Sequence, residues 1–165
     1  MPDDQLVPDD VDLAMLRLLQ ADASITNAEL AANVGLSPSA CLSRTKRLRE
    51  RGFIEKFTAV VDEKKVGLTV TAFAFVTLAK HSRSAADSFL RQIESIAQVM
   101  ECYNITGCAD YLLKIVALDM SAYRDFVIDQ VIEIPEVEHV ETLVVLKTEK
   151  RSFELPLEQS SIWRR

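Results

Sequence analysis

A chain of 165 residues that is 48% apolar and 27% charged can form one or two small domains with true cores. Its longest uninterrupted apolar run, Ala72 to Val76, is far shorter than the ~20 residues a membrane helix needs, and the acidic N-terminus has no signal-peptide pattern. The expectation is a cytoplasmic protein with no membrane partner. Three cysteines with no C-x-x-C, two histidines (His81 and His139) with no ligand partner at helical spacing, and four isolated glycines argue against a disulfide frame, a zinc site and a phosphate-cradling loop. No metal and no cofactor is expected.

Residues 1–8 are short of apolar anchors and contain Pro2 and Pro8, so they are expected to form a mobile arm. Asp9 and Asp10 can cap a first helix whose Leu13, Met15, Leu16 and Leu19 make a broad apolar face. The stretch from Thr26 to Gly52, TNAELAANVGLSPSACLSRTKRLRERG, reads as a helix-turn-helix. Thr26 with Glu29 is a capping-box pair, and Leu30, Ala31 and Val34 face inward. Gly35 ends that helix and Leu36 serves as the apolar pin of the turn. Ser37 is an N-cap with Pro38 at the first helical position, where its missing N–H costs nothing.

On the second helix of this motif Cys41, Thr45 and Leu48 share the inward face, so Cys41 is expected to be packed and unreactive. Ser39, Ser43, Lys46, Arg47 and Glu50 are read as pointing away, with Arg44 and Arg51 flanking them. Between Ser39 and Lys56 six cations face two glutamates, a local +4, while the other 147 residues carry −10. A basic helix on an acidic protein suits selective DNA binding, because counterion release rewards local charge and the acidic remainder discourages unselective adhesion. The alternative is a solvated charged helix face; the cap, turn and proline signals at this spacing favour DNA. Ser39, Ser43, Arg44 and Arg47 are then candidates for base edges in a major groove, and Lys46, Arg49 and Arg51 for phosphates.

After Gly52 the run FIEKFTAVV has the alternation of a strand, and DEKKVG, ending at Gly67, is the best domain boundary. Beyond it come a strand over TVTAFAFVTL, a helix with Ala86, Phe89, Ile93 and Ile96 on one face, and strands over VMECYNI and YLLKIVAL joined by TGCAD. A helix capped by Ser121, with Tyr123, Phe126, Val127 and Val131 inward, and a strand over VEHVETLVVL complete the set. The order βαββαβ predicts an α+β chain: a helix-turn-helix (winged-helix-like) head followed by a ferredoxin-like domain. The boundaries are 1–52 for the head, 53–68 for strand and linker, 69–148 for the second domain and 149–165 for a tail. Two helices can cover only one side of the sheet, so the other apolar side is expected to pack on a second subunit. A homodimer with paired heads calls for double-stranded DNA bearing an imperfect palindrome. In the tail, Phe153, Leu155, Leu157 and Trp163 could strap across a partner.

Three stretches, ITNAELAANVGLSPSACLSRTKRLRERGFI, the N-x-x-G-x-x-D-Y-L-L-K run from Asn104 to Lys114, and DMSAYRDF from Asp119 to Phe126, resemble the Lrp/AsnC (leucine-responsive regulatory protein, feast/famine) family. The resemblance spans nearly all of residues 9–148. It implies a transcription regulator that dimerises through its C-terminal domain, often assembles into tetramers of dimers as a higher homo-oligomer, and binds a small amino-acid effector between dimers. Asn104, Gly107, Cys108 and Asp110 then line the effector loop, with Met120 and Leu143 as neighbours by motif position. Where family members commonly carry Gly-Asp-x-Asp, this chain has Gly107, Cys108, Ala109 and Asp110, one carboxylate fewer. Read without the resemblance, TGCAD is a hairpin in which Asp110 satisfies its own turn. Siroheme decarboxylases resemble the same two-part architecture, but their chemistry calls for cations and histidines converging on a pocket, whereas here the strongest basic cluster lies on the recognition helix. The expected function is therefore regulatory and not enzymatic; a further alternative is an assembly module that has lost its DNA role, which predicts no salt-dependent DNA binding.

Overall fold

The computed structural model describes residues 8–159. Residues 1–7 of the expected arm and Trp163 lie outside the described residues, while Pro8 is buried and is no part of an exposed arm. The chain divides into two compact units, one built from the chain up to Val60 together with the segment from Lys150 onward, the other from Val61–Glu149.

The first unit holds α1 (Asp10–Ala21), α2 (Asn27–Asn33) and α3 (Pro38–Glu50). Each opens on a side-chain cap: Asp9 Oδ1 accepts the Asp12 N–H at 2.8 Å, Thr26 Oγ1 that of Glu29 at 3.2 Å, and Ser37 Oγ that of Ala40 at 3.3 Å. The first two are reciprocated, the Asp12 and Glu29 carboxylates accepting the N–H of Asp9 and Thr26. A cap of this kind contributes about 1 kcal/mol. Helix ends follow equally local rules. Gly35 (φ +68) and Gly52 (φ +75) take the left-handed conformation that lets the next N–H turn back, Leu36 to the Ala31 carbonyl and Phe53 to the Leu48 carbonyl, both at 2.9 Å. Met15, Leu30, Ala31 and Cys41 form the core, with Val34 and Leu36 packed against it.

The strand expected over FIEKFTAVV is absent. Residues 53–61 have no strand pairing, and Phe53, Phe57, Val60 and Val61 are exposed. Alternation of apolar side chains makes a strand only where another strand offers free N–H and C=O groups, and none among the described residues does so here.

The tail is tied to α1. The Gln20 side chain meets the Leu155 backbone in both directions, accepting its N–H at 2.9 Å and donating to its carbonyl at 3.3 Å, and Arg17 Nε lies 2.7 Å from Glu158 Oε1. Phe153 and Leu155 remain exposed. The strap expected across a partner thus lies on the chain's own head.

The second unit is a four-stranded antiparallel sheet in the order β2-β3-β1-β4. It is built from β1 (Val70–Leu78), α4 (Arg83–Glu94), β2 (Val99–Asn104), β3 (Tyr111–Ala117), α5 (Met120–Phe126), which continues as a π-helical turn over Val127–Ile132, and β4 (Val137–Val144). This is the expected βαββαβ order. Along β1 burial alternates residue by residue: Val70, Ala72, Ala74, Val76 and Leu78 lie in the core with Phe89 and Ile93 of α4 and Tyr123 and Phe126 of α5. The Phe89 and Tyr111 rings stack with centroids 4.8 Å apart, and the Tyr123 hydroxyl shares a 2.8 Å hydrogen bond with Thr142 of β4. The cap of α5 is Asp119, which accepts the Ala122 N–H at 2.8 Å; Ser121, expected in that role, lies inside the helix. Aspartate two residues earlier competes better because its carboxylate is also favoured by the positive end of the helix dipole.

The other face of the sheet carries Phe73, Phe75, Leu112 and Leu143, which register places side by side: Phe73 opposite Leu143, Phe75 opposite Leu112. Leu143 is exposed and the two phenylalanines are half-buried. Among the described residues no helix is long and apolar enough to cross a membrane.

Substituting both Gln20 and Arg17 by alanine should free the tail while leaving the head folded. Amide exchange at Leu155 is expected to rise about tenfold, the equivalent of one lost hydrogen bond with its ion pair, and an unchanged exchange rate would contradict the strap.

Candidate nucleic-acid interface and effector loop

Helix α3 exposes Ser39, Ser43, Lys46 and Glu50 along one outward stripe at the spacing of a helix face, with Lys46 Nζ 3.6 Å from Glu50 Oε1. Cys41 and Leu48 are buried on the opposite side and Thr45 is half-buried. Arg49 is exposed on one flank, its guanidinium 5.7 Å from the centre of the Phe57 ring, and Arg51 is exposed at the helix end. Leu42, also exposed, borders a shallow apolar depression with Leu19, Ile25, Leu30 and Phe57.

Arg44 and Arg47 lie elsewhere than the periodicity placed Arg47. Arg44 Nη1 sits 2.7 Å from Asp9 Oδ2 and 2.9 Å from Asp12 Oδ1, and Arg47 Nη2 sits 3.1 Å from Asp12 Oδ2. Arg47 does not point simply away from the protein; it turns sideways to α1. The cause is Asp12, which is 2% exposed. A carboxylate at that depth needs counter-charge and hydrogen bonds, and two guanidiniums with the Asp9 N–H supply them. Removing one partner of a fully buried ion pair costs about 3–5 kcal/mol, and loss of the Asp12 carboxylate falls at the low end because water reaches both guanidiniums. Their side chains are 26% and 36% exposed. Asp9, then Asp12, raise the pKa of Arg44 further. At Asp9 burial works to raise the pKa, but the Asp12 N–H and Arg44 outweigh it and the carboxyl is held below its ordinary value.

Asp12 is the residue that periodicity alone passed over. Its signal in the sequence was an acidic side chain at the third position after a capping aspartate, set between Val11 and Leu13 in an apolar stretch.

In the second unit the loop between β2 and β3 is held by Asp110. Its carbonyl accepts the Ile105 N–H at 3.0 Å and the Asn104 side-chain amide at 3.1 Å, and its own N–H donates to the Val76 carbonyl at 3.0 Å. Its carboxylate reaches out of the turn: Oδ2 accepts the Leu78 N–H at 2.8 Å and Oδ1 lies 3.1 Å from His81 Nδ1. Asp110 therefore closes its own turn through its carbonyl, while its carboxylate pins the hairpin to the end of β1. Gly107 (φ +117) and Cys108 are exposed at the tip. Met120 and Leu143 are not neighbours of this tip within one chain. Asp110 bonds the Val76–Leu78 end of β1, whereas Leu118, two residues before Met120, accepts the Thr69 N–H at the other end, and Leu143 pairs with Phe73 near the middle. Antiparallel register separates them, because the connection from β3 to α5 leaves from the edge opposite the hairpin. His81 is an exposed loop residue beside Asp110 and His139 lies on β4 opposite Thr77. Among the described residues no group of three or more His, Cys, Asp or Glu is arranged to hold a metal ion.

Both units match known families. Residues 8–55 match a winged helix-turn-helix DNA-binding model, and residues 71–155 match the Lrp/AsnC ligand binding domain. The chain is 51% identical over 151 residues to the transcriptional regulator AzlB of Bacillus subtilis, covering 92% of this chain and 96% of that one. It is 35% identical over 147 residues to the leucine-responsive regulatory protein of Escherichia coli, covering 89% and 90%. Among solved structures it is similar to a transcriptional regulator of Neisseria meningitidis crystallised as an L-Met complex, with a TM-score of 0.86 and 33% identity over 91% of this chain and 97% of that one.

The three thiols should label in a fixed order. Burial raises the pKa of both Cys41 and Cys102, and Cys41 is fully enclosed, whereas Cys108 is exposed. A thiol reagent at neutral pH is expected to modify Cys108 first and Cys41 only on unfolding; mass spectrometry of the labelled peptides reads the order. The acid limb is also set. Asp9 titrates below its ordinary value of 3.8, as does Asp22 through its Ser24 hydrogen bonds, and Glu29 titrates below 4.5 through those from Thr26. Depressed carboxyls stabilise the fold in full above their unfolded values and lose that contribution as pH falls through the folded ones. The melting temperature of the head should accordingly be flat above about pH 5 and fall from roughly pH 4 downward.

Proposed function

The chain belongs to the Lrp/AsnC family of transcription regulators, and from that premise we propose that it binds palindromic operator DNA as a homo-oligomer and responds to a small amino acid. The observation that carries the reading is the outward stripe of α3, polar and cationic, on a capped helix-turn-helix in an otherwise acidic chain. In this reading Ser39 and Ser43 meet base edges directly, Lys46, Arg49 and Arg51 meet phosphates, and Arg44 and Arg47 approach the groove from the flank with the N–H donors that Asp9 and Asp12 leave over. The names of the relatives support a regulator over an enzyme on the same architecture.

The dimer rests on the open sheet face. Phe73, Phe75, Leu112 and Leu143 form an apolar surface that α4 and α5 leave uncovered, and a second copy of the same face is the simplest self-complementary cover. A dimer presents two copies of α3, which suits half-sites about 10 bp apart or a multiple of that. Because Met120 and Leu143 are distant from the hairpin within one chain, a site that includes all six expected residues requires more than one subunit.

For the effector, the loop offers the Asp110 carboxylate for an ammonium group and exposed backbone around Gly107 for a carboxylate. Cys108 in place of a second carboxylate makes the site one charge less acidic, which disfavours a basic amino acid and leaves apolar or small polar ones. The L-Met complex of the Neisseria meningitidis regulator supports an apolar choice.

Three measurements test this. Lys46→Ala should weaken binding to all DNA alike and flatten the salt slope by about one, whereas Ser43→Ala should reduce the preference between operator and random DNA; equal behaviour of the two variants would remove the assignment. Phe75→Asp should convert a dimeric mass in light scattering to a monomeric one. Calorimetric titration with the twenty amino acids should give heat with apolar members and none with lysine, and Asp110→Asn, which keeps an acceptor for the Leu78 N–H, should abolish it.

A further inference from the structure

We infer that Asp12 is a positioning residue for DNA binding: a buried carboxylate on α1 that sets the direction of two α3 arginines and so divides the cations of that helix into an exposed set and a held set. The inference rests on the reading of α3 as the recognition helix. Three observations carry it. First, Asp12 is enclosed in the head, so its partners are determined by packing and not by solvent. Second, two guanidiniums one helical turn apart converge on it, Arg44 through Nη1 and Arg47 through Nη2, and Asp9 closes the set from the cap of the same helix. Third, the exposed Lys46, Arg49 and Arg51 have no part in the cluster.

A guanidinium carries five N–H donors in a rigid plane. Anchoring one Nη of Arg44 and one of Arg47 on a single carboxylate restricts both guanidiniums, and their remaining donors are held near the side of α3 that faces α1. This removes rotamer freedom that a long side chain otherwise loses on binding. It also offsets charge. With Asp9 and Asp12 beside them, the two arginines attract a distant phosphate weakly, so non-specific DNA is held mainly by the exposed Lys46, whose pairing with Glu50 is solvent-exposed, and by Arg49 and Arg51. At a correctly docked site the preset donors reach their acceptors without further cost. The pair of carboxylates thereby works for discrimination and against unselective attraction.

The test uses the full chain with operator and random duplexes across a range of salt. Asp12→Asn keeps the shape and one acceptor but removes the charge. Asp9→Asn does the same at the exposed end of the cluster and preserves the helix cap, since asparagine caps as well as aspartate. Asp9→Asn is therefore the variant that remains informative if Asp12→Asn lowers the folded fraction seen by circular dichroism. In either variant random-DNA affinity should rise, its salt slope should steepen by about one, and the ratio of operator to random affinity should fall about tenfold. In the background Arg44→Gln with Arg47→Gln the same aspartate substitutions should no longer change slope or ratio. Parallel loss on both duplexes with an unchanged slope in both variants, or effects that persist without the arginines, would overturn the inference while leaving α3 as the reader. A parent chain with no salt-dependent DNA binding at all would overturn the reading beneath it.

Discussion

The head is organised by a carboxylate that has to be satisfied away from water. Asp12 enters the interior because its helix must present Leu13, Met15 and Leu16 to the same core, and its position on the first turn leaves it no route to solvent. Once there it requires cations, and α3 is the element that supplies them. Apolar packing alone would hold α1 on α3 with latitude in sliding and rotation. Two charged hydrogen-bonded contacts one turn apart remove that latitude, which is the registry use of buried ion pairs that is best attested. The reciprocal half of the α1 cap and the charged contacts between α1 and α3 thus share one side chain.

A comparable economy is present in the second unit. Asp110 joins three elements through its carbonyl, N–H and carboxylate: the β2–β3 hairpin, the end of β1 and His81 in the loop that follows. The base of the hairpin is therefore fastened to the end of β1. On the open face, Lys114 is only 16% exposed and bonds Glu101 of the adjacent strand at 2.8 Å, so the cation beside Phe73 is matched within the chain, while Glu141, opposite Phe75, stays exposed to solvent.

Chain connectivity links the units twice. The polypeptide passes from the first to the second near Val60 and returns near Lys150, and the returning segment is tied to α1 by Gln20 and Arg17. Because α1 also carries Asp12, the tail and the recognition helix are bonded to opposite ends of the same helix.

Local chemistry made much of this legible from residues alone. Caps at Asp9, Thr26 and Ser37, the turns at Gly35 and Gly52, the alternation along β1 and the inward faces of α4 and α5 depend on neighbours within four residues or on strict period, so the chain carries them in plain view, and with them the family motifs. What tertiary structure decided depends on groups distant in sequence. FIEKFTAVV has the composition of a strand but pairs with nothing among the described residues; the tail found α1 instead of a partner; Asp119 took the cap from Ser121. Arg47 is the clearest case. Helical period placed it facing outward, and it turned to α1 because a carboxylate 35 residues earlier was buried there, a long-range electrostatic demand that no local window contains. Met120 and Leu143 teach a related lesson from the sheet: motif position names them together with the hairpin residues, and strand register shows that within one chain they lie away from its tip, since only strand pairing determines which end of a sheet each connection occupies.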